Sequence, residues 1–115
     1  MPAINSPFRY PGGKFYARKL ILDHVPQHAS YIEPFAGGGS IFFAKEKVQQ
    51  NWLNDVDEEL VNTYIHIRDH VAALIGFLEG LPATKELHTY YKNEFAPSNS
   101  LERAGRWYYL NRISY

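Results

Sequence analysis

The sequence lacks cysteine, contains a single methionine and carries no net charge. Without cysteine the chain can form no disulfide, no thiol nucleophile and no Cys-ligated zinc site, so a cytoplasmic location is the simplest expectation. It also lacks an apolar run close to the about 20 residues that a membrane-spanning helix needs. Residues 1–14 show no apolar segment of the kind found in signal peptides. We therefore expect neither a disulfide-rich secreted protein nor a membrane protein.

The zero net charge conceals an uneven distribution of charged side chains. Residues 1–50 carry six basic and three acidic residues, whereas residues 51–115 carry six basic and nine acidic residues. A protein that binds several phosphates of a nucleic acid usually has a basic surplus, so this chain alone should bind DNA poorly. Its 45% hydrophobic and 16% aromatic content predicts a globular protein, and 115 residues are enough for one domain.

Turn residues and apolar patterns at the start of the chain predict alternating strands and helices. A strand is predicted at 30–33, followed by a glycine-rich turn and a helix at 41–47. A second strand is predicted at 51–54. This order is the opening of a βαβ unit, and a short amphipathic helix at 14–24 precedes it.

The rest of the chain is predicted to be helical. Apolar residues recur at spacings of three and four, which indicates one long helix from about Asp57 to Gly80. The residues of this stripe are Leu60, Tyr64, Ile67, Val71, Leu74 and Leu78. Another helix is predicted at 84–95. A last helix begins at Leu101, where Asn99 and Glu102 are spaced as in a capping box, and shows no stop signal before Tyr115.

The turn between the first strand and its helix contains three consecutive glycines. Its residues are Phe35, Ala36, Gly37, Gly38, Gly39 and Ser40. Glycines allow a tight turn and a close approach of a ligand to the backbone, and a helix start presents unpaired N–H groups. The turn lacks the Lys-Ser or Lys-Thr of a P-loop, and Phe42 replaces the last glycine of a dinucleotide-binding fingerprint. Taken alone, it fits a structural turn as well as a ligand site.

Asp55 follows the second predicted strand, about 20 residues beyond the glycine turn. In nucleotide-binding βαβ folds an acidic residue at this place accepts hydrogen bonds from the ribose hydroxyls. Asp55 could instead cap the helix that starts near Asp57. Lys14 comes just after the turn Pro11-Gly12-Gly13, at a helix start where the helix dipole disfavours a cation. It would therefore suit an external anion, or else be a solvent-exposed lysine.

Two other groups of residues have a functional and a structural interpretation. His66 and His70 have the i, i+4 spacing of zinc-binding histidines, but no glutamate follows His66 and no third ligand is evident. We therefore expect no metal site. Aromatic residues near the C-terminus could stack on nucleic-acid bases, although their helical spacing favours a role in the core. These residues are Tyr90, Tyr91, Phe95, Trp107, Tyr108 and Tyr109.

In combination, the motifs resemble the N-terminal region of the Dam-like DNA adenine N6-methyltransferases. The resemblance rests on Arg9-Tyr10-Pro11-Gly12-Gly13-Lys14, on Tyr31 to Ser40, on Asn54-Asp55 and on Tyr109-Leu110-Asn111-Arg112. It implies S-adenosyl-L-methionine as cofactor and double-stranded DNA as the substrate of the full-length enzyme, in DNA methylation or restriction-modification. By this resemblance Tyr10 and Lys14 bind the cofactor, the Phe35–Ser40 turn wraps its methionine part, and Asp55 holds its ribose.

The resemblance also implies a fold and shows a departure. The expected fold is the N-terminal part of a Rossmann-like α/β methyltransferase, with an incomplete parallel sheet. Residues 1–64 would be the cofactor-binding part, and residues 65–115 a helical segment leading toward the target-recognition region. The sequence has no Pro-Pro pair, so the family's catalytic Asp/Asn-Pro-Pro-Tyr motif is missing. We therefore expect a truncated chain without catalytic residues.

Two other functions remain open at the level of the sequence. One is a nucleotide-binding module of another class, in which the glycine turn would hold a phosphate. The other is a helical DNA-binding protein without enzymatic activity, although the zero net charge is unfavourable for it.

Overall fold

The computed structural model describes residues 5–9 and 17–113, which form two compact units divided between Val56 and Asp57. The elements of the first unit are α1 (Arg18–Leu22), β1 (Ser30–Glu33), α2 (Ser40–Ala44) and β2 (Gln50–Leu53). The elements of the second unit are α3 (Glu58–Asp69), α4 (Val71–Leu78), α5 (Lys85–Asn93) and α6 (Ser100–Arg112). None of the helices in these ranges has the length and apolarity needed to cross a membrane.

The two strands pair in parallel, with Ile32 opposite Trp52. Backbone hydrogen bonds continue beyond the ends of the strands. The Asn54 amide donates to the Glu33 carbonyl at 2.8 Å, and the Ala36 amide donates to the Asn54 carbonyl at 2.8 Å. The carboxyl ends of both strands are therefore held together at the point where the glycine turn begins.

The two faces of the sheet differ in exposure. Tyr31 and Glu33 lie on the covered face, and Glu33 is only 8% exposed. Ile32 and Trp52 lie on the other face and are 56% and 64% exposed. The predicted mixture of helices with a small parallel sheet is confirmed, and the part of the chain that the structure describes contains two strands of that sheet.

The helices of the first unit are shorter than predicted. α1 begins after Ala17 and ends before Asp23, within the predicted helix at 14–24, of which residues 14–16 lie outside the described ranges. α2 ends at Ala44 instead of residue 47 because Lys45 adopts an extended backbone, with φ −84° and ψ 163°. The Lys45 ammonium then lies 4.3 Å from the centre of the Tyr31 ring, where a cation–π contact is favourable.

The prediction of one long helix in the second unit is wrong, because the helix breaks at His70. There φ is −139° and ψ is 40°, so α3 ends before His70 and α4 begins after it. Both helices pack against α6. Ala104 and Gly105 of α6 are buried, and a Cβ on Gly105 would overlap the Phe77 ring of α4, so glycine at this position allows α4 and α6 to approach closely.

The two last helices begin as predicted. Thr84 caps α5 by accepting from the Leu87 amide at 3.2 Å, and Asn99 caps α6 by accepting from the Glu102 amide at 2.9 Å. The Glu102 carboxylate completes the motif by accepting from the Ser98 amide, one residue before the cap. α6 ends at Arg112, so the prediction that this helix continues to the end of the chain is wrong.

Candidate functional site

The glycine turn has a backbone conformation that requires glycine. Gly37 and Gly39 have φ values of 52° and 73°, in the left-handed region that other residues rarely adopt. The Gly39 amide closes the turn by donating to the Ala36 carbonyl at 2.9 Å. Ala36, Gly38 and Gly39 are buried, whereas Phe35 is 78% exposed. The turn is thus a packed structure with one aromatic ring facing outward.

Asp55 lies against this turn. Its Oδ2 accepts a hydrogen bond from the Gly37 amide at 2.9 Å. The alternative role, capping of the next helix, belongs to Asp57, whose Oδ1 accepts from the Glu59 and Leu60 amides at 3.1 and 3.3 Å. The structure therefore brings together the glycine turn and the acidic residue that the sequence singled out separately.

Ser6 also contacts the turn, which the sequence did not indicate. Its hydroxyl donates to the Gly38 carbonyl and accepts from the Phe8 amide at 3.0 Å. The Phe8 side chain is 5% exposed. The segment Asn5 to Arg9 is therefore attached to the turn by a hydrogen bond, and its Phe8 ring is buried. No local pattern signals this contact, because Ser6 and Gly38 lie 32 residues apart.

A polar cluster lies on the covered face of the sheet, where Glu33 is buried and Tyr31 and Lys45 are half-buried. The Tyr31 hydroxyl donates to the Glu33 carboxylate. Burial, the hydrogen bond and the charge of Glu33 together raise the pKa of Tyr31 well above its ordinary value. Burial lowers the pKa of Lys45, while the charge of Glu33 acts in the opposite direction. The i, i+2 spacing of Tyr31 and Glu33 in a strand could have predicted their shared face.

The remaining predicted site residues, Tyr10 and Lys14, lie outside the described residues. Phe35 to Ser40 and Asp55 are described and lie at the ends of the two paired strands. The assignment of these residues to a cofactor stays a prediction.

His66 is buried and hydrogen-bonded within the second unit. Its ring is 6% exposed, with Nδ1 2.8 Å from the Asn62 carbonyl and Nε2 3.3 Å from the Ser100 hydroxyl. Both ring nitrogens of His66 thus have partners inside the second unit. Within residues 5–9 and 17–113, no group of three or more His, Asp or Glu side chains is placed to hold a metal ion.

The aromatic residues near the C-terminus are partly in the core, as favoured from their spacing. Tyr91 and Tyr109 are 7% and 4% exposed, and their ring centres are 5.1 Å apart. The Tyr109 hydroxyl donates to the Pro82 carbonyl at 2.8 Å. Phe95, Trp107 and Tyr108 are half-buried, and Tyr90 is 44% exposed.

The hydrogen bonds of the turn restrict what it can bind. The amides of Gly37 and Gly39 already donate to Asp55 and Ala36. These two N–H groups are therefore engaged within the protein and would have to leave their partners to bind an anion. A ligand beside the turn would instead meet glycine backbone, the exposed Phe35 ring and the oxygens of the Asp55 carboxylate.

Comparison with known proteins gives a consistent assignment. The model of the D12 class N6 adenine-specific DNA methyltransferase family matches residues 10–115. A DNA N-6-adenine-methyltransferase of Escherichia phage P1 is 33% identical over 110 residues, covering 91% of this chain and 14% of the relative. The type II methyltransferase M.CviBI of Paramecium bursaria Chlorella virus NC1A is 31% identical over 109 residues, covering 93% of this chain and 42% of the relative.

A cellular relative shows the same extent of similarity. The DNA adenine methylase of Escherichia coli strain K12 is 29% identical over 112 residues, covering 93% of this chain and 40% of the relative. The chain thus spans less than half the length of each of these three relatives. The range matched by the family model, residues 10–115, spans the glycine turn, Asp55 and the helices of the second unit.

Proposed function

The chain belongs to the D12 class N6 adenine-specific DNA methyltransferase family, and we propose that it forms the S-adenosyl-L-methionine-binding part of such an enzyme. The observation that carries this proposal is the 2.9 Å hydrogen bond between the Gly37 amide and the Asp55 carboxylate. It places a glycine turn and an acidic side chain at the carboxyl ends of two adjacent parallel strands. In open α/β sheets, ligands bind at this edge.

The groups at this edge suit the cofactor. A carboxylate accepts hydrogen bonds, and the ribose of S-adenosyl-L-methionine offers two hydroxyl donors, so Asp55 would hold the ribose. The Phe35–Ser40 turn would lie along the methionine part, where the half-buried Gly37 has no side chain to keep a ligand away from the backbone. By the family motif, Tyr10 and Lys14 would complete the site, and the positive charge of Lys14 would suit the cofactor carboxylate. When bound, the cofactor supplies the methyl group from its sulfonium centre.

The alternative of a phosphate-binding module has less support. Phosphate loops bind anions through several free backbone N–H groups. In this turn the amides of Gly37 and Gly39 are both bonded inside the protein, and a carboxylate 2.9 Å from one of them would repel a phosphate. The same carboxylate is favourable for neutral hydroxyl donors.

We further propose the larger fold and the enzyme substrate to which this site belongs. The two-stranded sheet would be part of a Rossmann-like methyltransferase sheet, with residues 1–64 in the cofactor-binding part and residues 65–115 leading toward target recognition. The substrate of the complete enzyme would be double-stranded DNA, methylated at adenine N6 in the cytoplasm.

A binding experiment separates the cofactor from a nucleotide. In heteronuclear NMR titrations, S-adenosyl-L-homocysteine should shift the amide signals of Gly37, Gly38 and Gly39, and ADP at equal concentration should shift them less, because it lacks the amino-acid part that would lie along the turn. Homocysteine, which lacks the ribose, serves as the control and should cause only small shifts. Shifts of the glycine signals by ADP but not by S-adenosyl-L-homocysteine would replace the proposed function with the phosphate-binding alternative.

A further inference from the structure

Ser6 joins two backbone groups that belong to different segments. Its oxygen accepts from the Phe8 amide at 3.0 Å, and its proton is donated to the Gly38 carbonyl. One hydroxyl can do both because it carries one donor and two acceptor sites. Since Phe8 is 5% exposed, the backbone next to Ser6 is fixed by a buried ring. The hydroxyl is thus held in place before it contacts the turn.

The contact at Gly38 continues through the turn to Asp55. The Gly38 carbonyl and the Gly39 amide belong to one planar peptide group, and this amide donates to the Ala36 carbonyl at 2.9 Å. The Ala36 carbonyl and the Gly37 amide form the next planar group, whose amide donates to Asp55 Oδ2 at 2.9 Å. An unbroken series of hydrogen bonds through two peptide groups therefore links Ser6 to Asp55.

We propose that Ser6 is a positioning residue for the Phe35–Ser40 turn. Ser6 lies at one end of this series of hydrogen bonds and Asp55 at the other, and Ser6 orients the turn between them. The inference rests on the proposed function, because the turn and Asp55 are the groups that would contact S-adenosyl-L-methionine. Planar peptide groups transmit orientation, since a carbonyl held at one end fixes the direction of the amide at the other. Linked hydrogen bonds also polarise one another and strengthen together. Ser6 would therefore prepare the turn and Asp55 for the cofactor without contacting it.

The first test measures the turn in the absence of any ligand. In hydrogen-exchange NMR of the whole 115-residue chain, Ser6→Ala should accelerate exchange of both the Phe8 and the Gly39 amides by about fivefold, the effect of one net hydrogen bond. Ser6→Thr keeps the hydroxyl and should restore slow exchange. Ser30→Ala is the matched control, because it removes a serine hydroxyl that donates to Gln50 Oε1 at 3.0 Å, on an exposed part of β1.

The second test measures the consequence for binding. Isothermal titration with S-adenosyl-L-homocysteine should show about fivefold weaker binding for Ser6→Ala, wild-type affinity for Ser6→Thr and no change for Ser30→Ala. A merely structural role would lower the stability of Ser6→Ala and leave its affinity for S-adenosyl-L-homocysteine unchanged.

The outcomes separate this inference from the proposed function. Faster exchange at Phe8 but not at Gly39 would overturn the inference, because the hydroxyl would then act only on its own segment. Unchanged affinity in Ser6→Ala, or no rescue by Ser6→Thr, would also overturn it. If the unmodified chain fails to bind S-adenosyl-L-homocysteine, the proposed function fails, and Ser6 loses its role toward a cofactor even when the exchange result identifies it as a support of the turn.

Discussion

Asp55 and Asp57 show how two neighbouring acidic residues acquire different roles. Asp57 accepts hydrogen bonds from two amides at the start of α3, which compensates unpaired donors of that helix. Asp55 accepts from the Gly37 amide, 18 residues away in the sequence. The carboxylate of Asp57 is thus used for local structure, while that of Asp55 lies at the edge where the strands end. This difference makes Asp55 the residue on which the functional proposal depends.

Tyr31 gives a prediction about pH. Its pKa is raised in the folded chain, first by burial and then by its hydrogen bond to Glu33 and by the charge of that carboxylate. The neutral phenol is therefore favoured by folding, so its contribution to stability is complete below the unfolded pKa of about 10 and is lost as the pH rises through the folded value. We expect the free energy of unfolding to decrease above about pH 10.

Urea unfolding at a series of alkaline pH values measures this effect. Tyr31→Phe should reduce the alkaline loss of stability, but not abolish it, because the pKa of Tyr91 is also raised, chiefly by burial. An equally steep alkaline loss in Tyr31→Phe and in the unmodified chain would contradict the assignment to Tyr31.

At the scale of helices and strands, local sequence patterns predicted those element starts and caps that depend on neighbouring residues. The strand at 30–33, the start of α5 and the Asn99 cap of α6 follow from turn residues, periodicity and capping chemistry. The break at His70 was missed because the apolar stripe continues across it. α3 and α4 on either side of the break both contact α6, and residue spacing within one helix does not report such contacts.

The candidate site was predictable only in part, because contacts between distant segments leave no local sequence pattern. The glycine turn and Asp55 have sequence signals, and parallel strands bring their ends together. The contact between Ser6 and Gly38 has no sequence signal, because it joins residues 32 positions apart in segments without periodicity. Contacts of this kind arise from the complete packing of the unit.

Two glycines in adjacent helices provide a matched test of helix packing. A Cβ at Gly105 of α6 would overlap the Phe77 ring, whereas a Cβ at Gly76 of α4 would meet no atom within 4 Å. We expect Gly105→Ala to destabilise the chain by about 1–3 kcal/mol through overpacking. Gly76→Ala should stabilise it by about 0.5–1 kcal/mol through helix propensity.

Urea denaturation of the two variants and the unmodified chain decides this prediction. If Gly105→Ala were as stable as Gly76→Ala, the close approach of Phe77 to α6 would be incorrect.

At the scale of the whole molecule, the absence of a Pro-Pro pair limits what the chain can catalyse. By the family resemblance, the Asp/Asn-Pro-Pro-Tyr motif holds the flipped adenine and directs its amino nitrogen toward the methyl group. Enzymes that modify a base must take it out of the duplex and hold it in a pocket. We propose that this chain provides the cofactor side of such an arrangement.

We therefore predict that the 115-residue chain does not methylate DNA by itself. The measurement is transfer of tritium from labelled S-adenosyl-L-methionine to adenine-rich duplex DNA, with a complete D12 enzyme as positive control. Clear turnover by the purified chain, with mass spectrometry showing no longer form, would mean that the catalytic residues have been misplaced.

The net charge of zero leads to a separate prediction about DNA. Affinity for duplex DNA comes largely from counterion release by basic side chains, so binding by this chain should be weak and independent of sequence. Fluorescence anisotropy at low and moderate salt measures it. Tight, sequence-dependent binding would instead support the helical DNA-binding alternative.

The most direct test of the central proposal is the affinity of two aspartate variants for S-adenosyl-L-homocysteine, measured by isothermal titration. Asp55→Ala should lose about 1.5–3 kcal/mol of binding free energy, the range for hydrogen bonds to a charged group. Asp57→Ala, the matched control, should lose about 1 kcal/mol of stability as a helix cap and bind with unchanged affinity. Equal affinity of Asp55→Ala and the unmodified chain would contradict the assignment of this site to the cofactor ribose.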